Sequence, residues 1–198
     1  MPKVVDYYFS PMSPWTYLGH GRFTEMLAQR RAQVRVKPVD YGKVFPVSGG
    51  LPLKQRAAQR QAYRLVELRR FREHLGVPLN LEPKFFPVPT EEASILIVAA
   101  DQQRGAEAAM RLAGAILRAC WAEDRNIGDA QVLAEIAAGQ GLDSAQLNAR
   151  REQARSAYEG YTQEAIERQV FGAPTYVVDG ELFWGQDRLE FLDRALAR

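Results

Sequence analysis

The chain has 198 residues, enough for one compact domain or for one domain carrying a large insertion. Its 26 basic against 24 acidic residues leave a net charge of +2, too small an excess for an electrostatic footprint on nucleic acid. No apolar run approaches the roughly 18 residues of a membrane span, and the single cysteine, Cys120, excludes an intrachain disulfide. The opening Met1-Pro-Lys-Val-Val-Asp has neither the basic nor the apolar region of a signal peptide. With the lone cysteine, this makes a cytoplasmic setting the expectation.

Lys3 to Phe9 is rich in β-branched and aromatic residues and reads as a buried strand. The breaker cluster Ser10-Pro-Met-Ser-Pro follows. Ser13 then Pro14 is a helix start, with serine at the N-cap and proline at N1. Trp15, Leu18, Phe23 and Leu27 continue at helical spacing. Val34 to Val39 alternates as a second strand, which completes a βαβ unit.

The middle has a different pattern. Val47 to Pro52 reads as a loop, and Lys54 to Leu75 as a helix stopped by Gly76. Tyr63, Leu65, Leu68 and Phe71 are its expected buried set. Arg60, Arg64, Arg69, Arg70 and Arg72 read as its solvated face. Leu79 to Thr90 is proline-rich and irregular. Alanine-rich helices follow at about 91–103, 106–122, 129–139 and 143–168, the first with Thr90 as its cap. The end returns to β structure: a strand over Thr175 to Val178, an Asp179-Gly180 turn, a strand over Glu181 to Trp184, and a helix from Asp187, a candidate cap. The expected fold is α/β, βαβ then ββα in one sheet. Residues 1–45 and 165–198 form that domain, and 46–164 are an all-helical insertion.

Three stretches carry chemistry. In Ser13-Pro14-Trp15-Thr16, hydroxyls stand at both positions where a Cys-Pro-x-Cys redox motif would place thiols, so a two-cysteine cycle is excluded there. Ser13 is either a simple N-cap or a hydrogen-bond donor to a bound thiolate, which the helix N-terminus also favours. In Gly172-Ala173-Pro174-Thr175, the proline enters a strand after a small-residue turn. A cis bond there leaves the Ala173 backbone free to pair with an extended peptide, and a trans bond makes an ordinary strand start. In Trp184-Gly185-Gln186-Asp187, helix-start N–H groups suit a carboxylate and Asp187 suits an ammonium, with Asp187 as a mere cap the alternative. His20 and His74 lie far apart in sequence, and no metal site is expected. Cys120, between Leu117 and Trp121, reads as a buried small hydrophobe.

These stretches resemble the 2-hydroxychromene-2-carboxylate isomerases and the related kappa-class glutathione transferases, in the DsbA-like branch of the thioredoxin superfamily. The matching segments are residues 6–19, Val170-Phe-Gly-Ala-Pro-Thr and Phe183-Trp-Gly-Gln-Asp-Arg-Leu. Cys120-Trp-Ala-Glu and Glu164-Ala-Ile-Glu-Arg match as well. The resemblance implies a glutathione-dependent isomerase of aromatic catabolism, with a small aromatic carboxylate as substrate and a homodimer as the assembly. It implies that Ser13 holds the glutathione sulfur and that Ala173, before Pro174, pairs with the cysteinyl part. Trp184, Gly185, Gln186 and Asp187 would take the γ-glutamyl end, and Lys54 and Gln55 the glycyl end. Lys43 or Lys54 would hold the substrate carboxylate. The family's asparagines near Gly49-Gly50 and at Pro89 are missing here. A kappa-like transferase and a redox-inactive binding module are the alternatives.

Overall fold

The computed structural model describes residues 2–198. Strand β1 (Val4–Phe9) leads into helix α1 (Pro14–Arg30) and strand β2 (Gln33–Pro38). Helices α2 (Tyr41–Ser48), α3 (Ala58–Leu75), α4 (Glu91–Arg104), α5 (Ala106–Trp121), α6 (Ala130–Gly139), α7 (Ser144–Asn148) and α8 (Arg151–Glu167) intervene before β3 (Thr175–Val178), β4 (Glu181–Trp184) and α9 (Leu189–Leu196). The sheet order is β2-β1-β3-β4, with β1 parallel to β2 and antiparallel to β3. It is therefore a mixed α/β thioredoxin-like sheet closed across a helical insertion.

The β1 side chains are buried on both faces, as a central strand requires. Tyr7 stacks on Phe9 and Tyr176 beneath α1. On the other face Tyr8 packs with Val39, Tyr41, Val44 and Ala165. There Lys37, almost fully buried, bridges Asp6 at 2.9 Å and Glu164 at 2.8 Å, which ties α8 to the sheet. Helices α4 and α5 pack on β2, and α5 also packs along α1.

Several local expectations are corrected. Residues 41–48 form a helix, because Asp40 caps it with a hydrogen bond from the Gly42 N–H at 2.8 Å, and Pro46 fits within so short an element. Lys54 and Gln55 lie in a separate 3-10 turn, Leu53–Gln55, not in α3. The helix expected over 143–168 breaks into α7 and α8 at Ala149 and Arg150. Thr90 has helical backbone angles and no side-chain capping bond. Asp187 does not cap α9 either. It lies in the 3-10 turn Gln186–Arg188, where its carboxylate pairs with Arg188. In α3 the buried face agrees only in part with the expected one. Leu68 is buried as expected, but Tyr63 is 54% exposed and Arg64, one turn before Leu68, is buried.

Candidate functional site

Ser13 is the N-cap of α1. Its backbone is extended, and its Oγ accepts from the Thr16 N–H at 3.2 Å. Pro14 occupies the first helical position, where no N–H is needed. The first turn of this 17-residue helix carries no acidic side chain, so no carboxylate of its own offsets its positive end. No protein acceptor takes the Ser13 hydroxyl proton among the described residues. The preceding loop is fixed from two sides: the Ser13 N–H donates to the Ser10 carbonyl at 3.0 Å, and the Trp121 indole N–H donates to the Met12 carbonyl at 3.2 Å. Directly below, the Thr16 hydroxyl is fully buried with no hydrogen-bond partner.

The second wall is the segment before β3. The Ala173–Pro174 bond is cis. Strand β3 pairs with β1 so that Tyr8 faces Thr175, and continuing this antiparallel register sets Ala173 level with Ser10. The Gly172 carbonyl accepts from the Tyr41 hydroxyl at 2.8 Å and from the Thr175 hydroxyl at 2.7 Å. Burial pushes the Tyr41 phenol far above its ordinary range, so it remains a donor across the working pH range. The Pro174 carbonyl accepts from the Gly185 N–H at 2.9 Å. The Ala173 N–H and C=O make no backbone hydrogen bond among the described residues.

The third element follows β4. Trp184 is half-exposed and meets Phe171 edge-on, with its indole over Gly172. Gly185 has φ of 101°, a conformation that glycine adopts at no cost and a side chain would not. Gln186 has a different place from the one expected. It is buried, and both its backbone carbonyl and its side-chain oxygen accept from Arg22 of α1. That side chain fastens the turn to α1, whereas Trp184, Gly185 and Asp187 present free surface.

Ser13, Ala173 and Pro174 are thus brought together at the end of β1. Lys43, Lys54 and Gln55 are exposed, and no side-chain hydrogen bond ties them to either wall. Cys120 is buried, and burial pushes its thiol up to about 12, so it is no nucleophile. One contributor, Tyr41, has no signal of its own in the sequence. Asp40 as an N-cap signal would have found the helix that carries Tyr41, but not its bond to a residue 131 positions away.

The chain as a whole is similar to known proteins. The DSBA-like thioredoxin domain matches residues 4–197. A 2-hydroxychromene-2-carboxylate isomerase of Sphingobium xenophagum is 27% identical over 99% of both chains. A glutathione S-transferase kappa 1 of Caenorhabditis elegans is 24% identical over 97% of this chain and 91% of its own. A solved structure of a 2-hydroxychromene-2-carboxylate isomerase superposes with a TM-score of 0.79 at 27% identity, covering 98% of this chain and 95% of the other. The chain belongs to the DSBA-like thioredoxin domain family.

Proposed function

We propose that this protein is a glutathione-dependent isomerase of conjugated, aromatic-derived carboxylates of the 2-hydroxychromene-2-carboxylate type. The observation that carries the reading is Ser13 at the N-terminus of α1, whose first turn carries no acid, with its hydroxyl proton free, beside an Ala173 backbone without partners among the described residues. A thiol peptide fits this cleft. Ala173 offers one N–H and one C=O to an extended chain, and Ser13 offers an O–H to its sulfur. The similarity to proteins named as isomerases and as a kappa-class glutathione transferase supports both the reaction and the cofactor.

When bound, glutathione supplies a thiolate that adds to a conjugated carbon and later leaves, so that it is not consumed. The chain's own residues do the rest. Ser13 donates to the sulfur, and the α1 N-terminus favours its negative charge, which lowers the thiol pKa. Tyr41 and Thr175 hold the Gly172 carbonyl and so aim the Ala173 backbone. Trp184, Gly185 and Asp187 receive the charged γ-glutamyl end. The site works as one half of a homodimer in the cytoplasm.

Calorimetry with glutathione on the wild type and on Ser13→Ala tests the reading. Binding by the wild type, followed by catalytic turnover that leaves the glutathione concentration unchanged, supports it. Absence of binding, or recovery of a glutathione adduct as the product, contradicts it.

A further inference from the structure

Arg64 belongs to an arginine cluster that reads as solvated, yet it is only 8% exposed. Its guanidinium carbon lies 5.1 Å from the centre of the Phe86 ring and 5.7 Å from that of Trp121. Its Nη2 is buried without a hydrogen-bond partner. No carboxylate pairs with it among the described residues, and the charged group that acts on it is another cation, Arg56, whose own Nε is taken by the Leu51 carbonyl at 2.8 Å. A buried charge is ordinarily paired. Aromatic faces desolvate and orient a guanidinium, but they leave its in-plane N–H fork unanswered.

The position gives this fork a purpose. The same Trp121 donates its indole N–H to the Met12 carbonyl, one residue before Ser13. Trp121 ends α5, which packs on α1 and β2, whereas the Ala173 segment enters β3, on the opposite side of β1. Arg64 is thus linked to the loop before Ser13 through Trp121, while the peptide-pairing wall lies on the β3 side of β1.

We propose that Arg64 is the carboxylate-recognition residue of the Ser13 site and takes the acid group of the substrate, the role that the exposed Lys43 and Lys54 leave unfilled. This rests on the isomerase reading for the identity of the substrate. Because Nη2 itself is covered, the side chain must turn outward to receive the acid; the fork then gives a planar carboxylate two parallel N–H bonds, which would hold a flat conjugated acid with its reactive carbon toward the sulfur side.

The test uses the full chain, with 2-naphthoate, its uncharged amide and glutathione as separate calorimetric probes. The wild type should bind naphthoate about tenfold or more tightly than the amide, the usual worth of a charge-assisted bond. Arg64→Met should lose that preference while its glutathione affinity changes less than about twofold, and Arg64→Lys, which keeps the charge without the fork, should fall between. Because Arg64 has no carboxylate or hydrogen-bond partner among the described residues and methionine can keep the contact with Phe86 and Trp121, the thermal midpoint of Arg64→Met should not fall. A naphthoate preference that survives Arg64→Met overturns the proposal. So does a loss of glutathione binding with naphthoate unaffected, which would give Arg64 to the glycyl carboxylate of the cofactor. A wild type that prefers naphthoate but ignores glutathione keeps the carboxylate site and removes the isomerase reading instead.

Discussion

The Tyr41 hydroxyl donates to the Gly172 carbonyl at 2.8 Å and so joins the first helix after the βαβ unit to the segment that carries the cis proline. Thr175 donates to the same oxygen, so two donors from different elements hold one carbonyl. The Ala173 backbone is aimed by that pair. Tyr41→Phe should therefore cost about 1 kcal/mol of stability, the net worth of one neutral hydrogen bond. Its larger effect should be on glutathione affinity, with turnover at saturation little changed. Denaturant midpoints and calorimetry on the same preparation check both.

Gly172 has no room for a side chain. A Cβ there would lie 2.9 Å from the Trp184 Cε2, so the indole must move. Gly172→Ala should cost about 1–3 kcal/mol as an overpacked substitution and should change Trp184 fluorescence. In a Trp184→Ala background the same change should cost much less. A double-mutant cycle reads that coupling directly.

His20 sets a pH dependence of stability. Its Nε2 lies 3.0 Å from the Met110 carbonyl, which can only accept, so Nε2 carries the proton and Nδ1 accepts from the Tyr7 hydroxyl at 3.2 Å. Burial lowers its pKa from 6.5 to about 4, outweighing the Met110 bond, which acts the other way. The unfolded chain therefore takes up a proton before the folded one does. The contribution is complete above about pH 6.5 and is lost as the pH falls toward about 4, to a total of about 3 kcal/mol. Wild type and His20→Gln, unfolded by denaturant at several pH values across that window, should diverge, with the flatter profile belonging to the variant.

Much of this was legible because its signals are local. Ser13-Pro14 announces a helix start wherever it stands, and the Asp179-Gly180 turn announces a hairpin, which the β3–β4 pairing carries out. The paired ends of the chain then fix the sheet. What was not legible depends on which way an element faces. Periodicity in α3 is weak: Leu68 is buried as expected, but tertiary packing turned Arg64 inward and Tyr63 outward. Gln186 reads as a ligand-binding side chain until Arg22, distant in sequence, is found to engage it. Tyr41 sits in a helix concealed by Pro46 and Gly42, and its bond to Gly172 spans the whole insertion.

On the proposed function, Ser13 and the α1 N-terminus hold glutathione as a thiolate. Ultraviolet thiolate absorbance of bound glutathione, followed as the pH is lowered, measures this directly for the wild type and Ser13→Ala. The wild type should retain the signal well below the ordinary thiol pKa of about 8.5. Ser13→Ala should lose it at neutral pH, with turnover falling about 100-fold, the usual cost of one donor to a developing anion. Its stability should drop by only about 1 kcal/mol, for the missing N-cap. Equal thiolate signals in the two proteins would contradict the account.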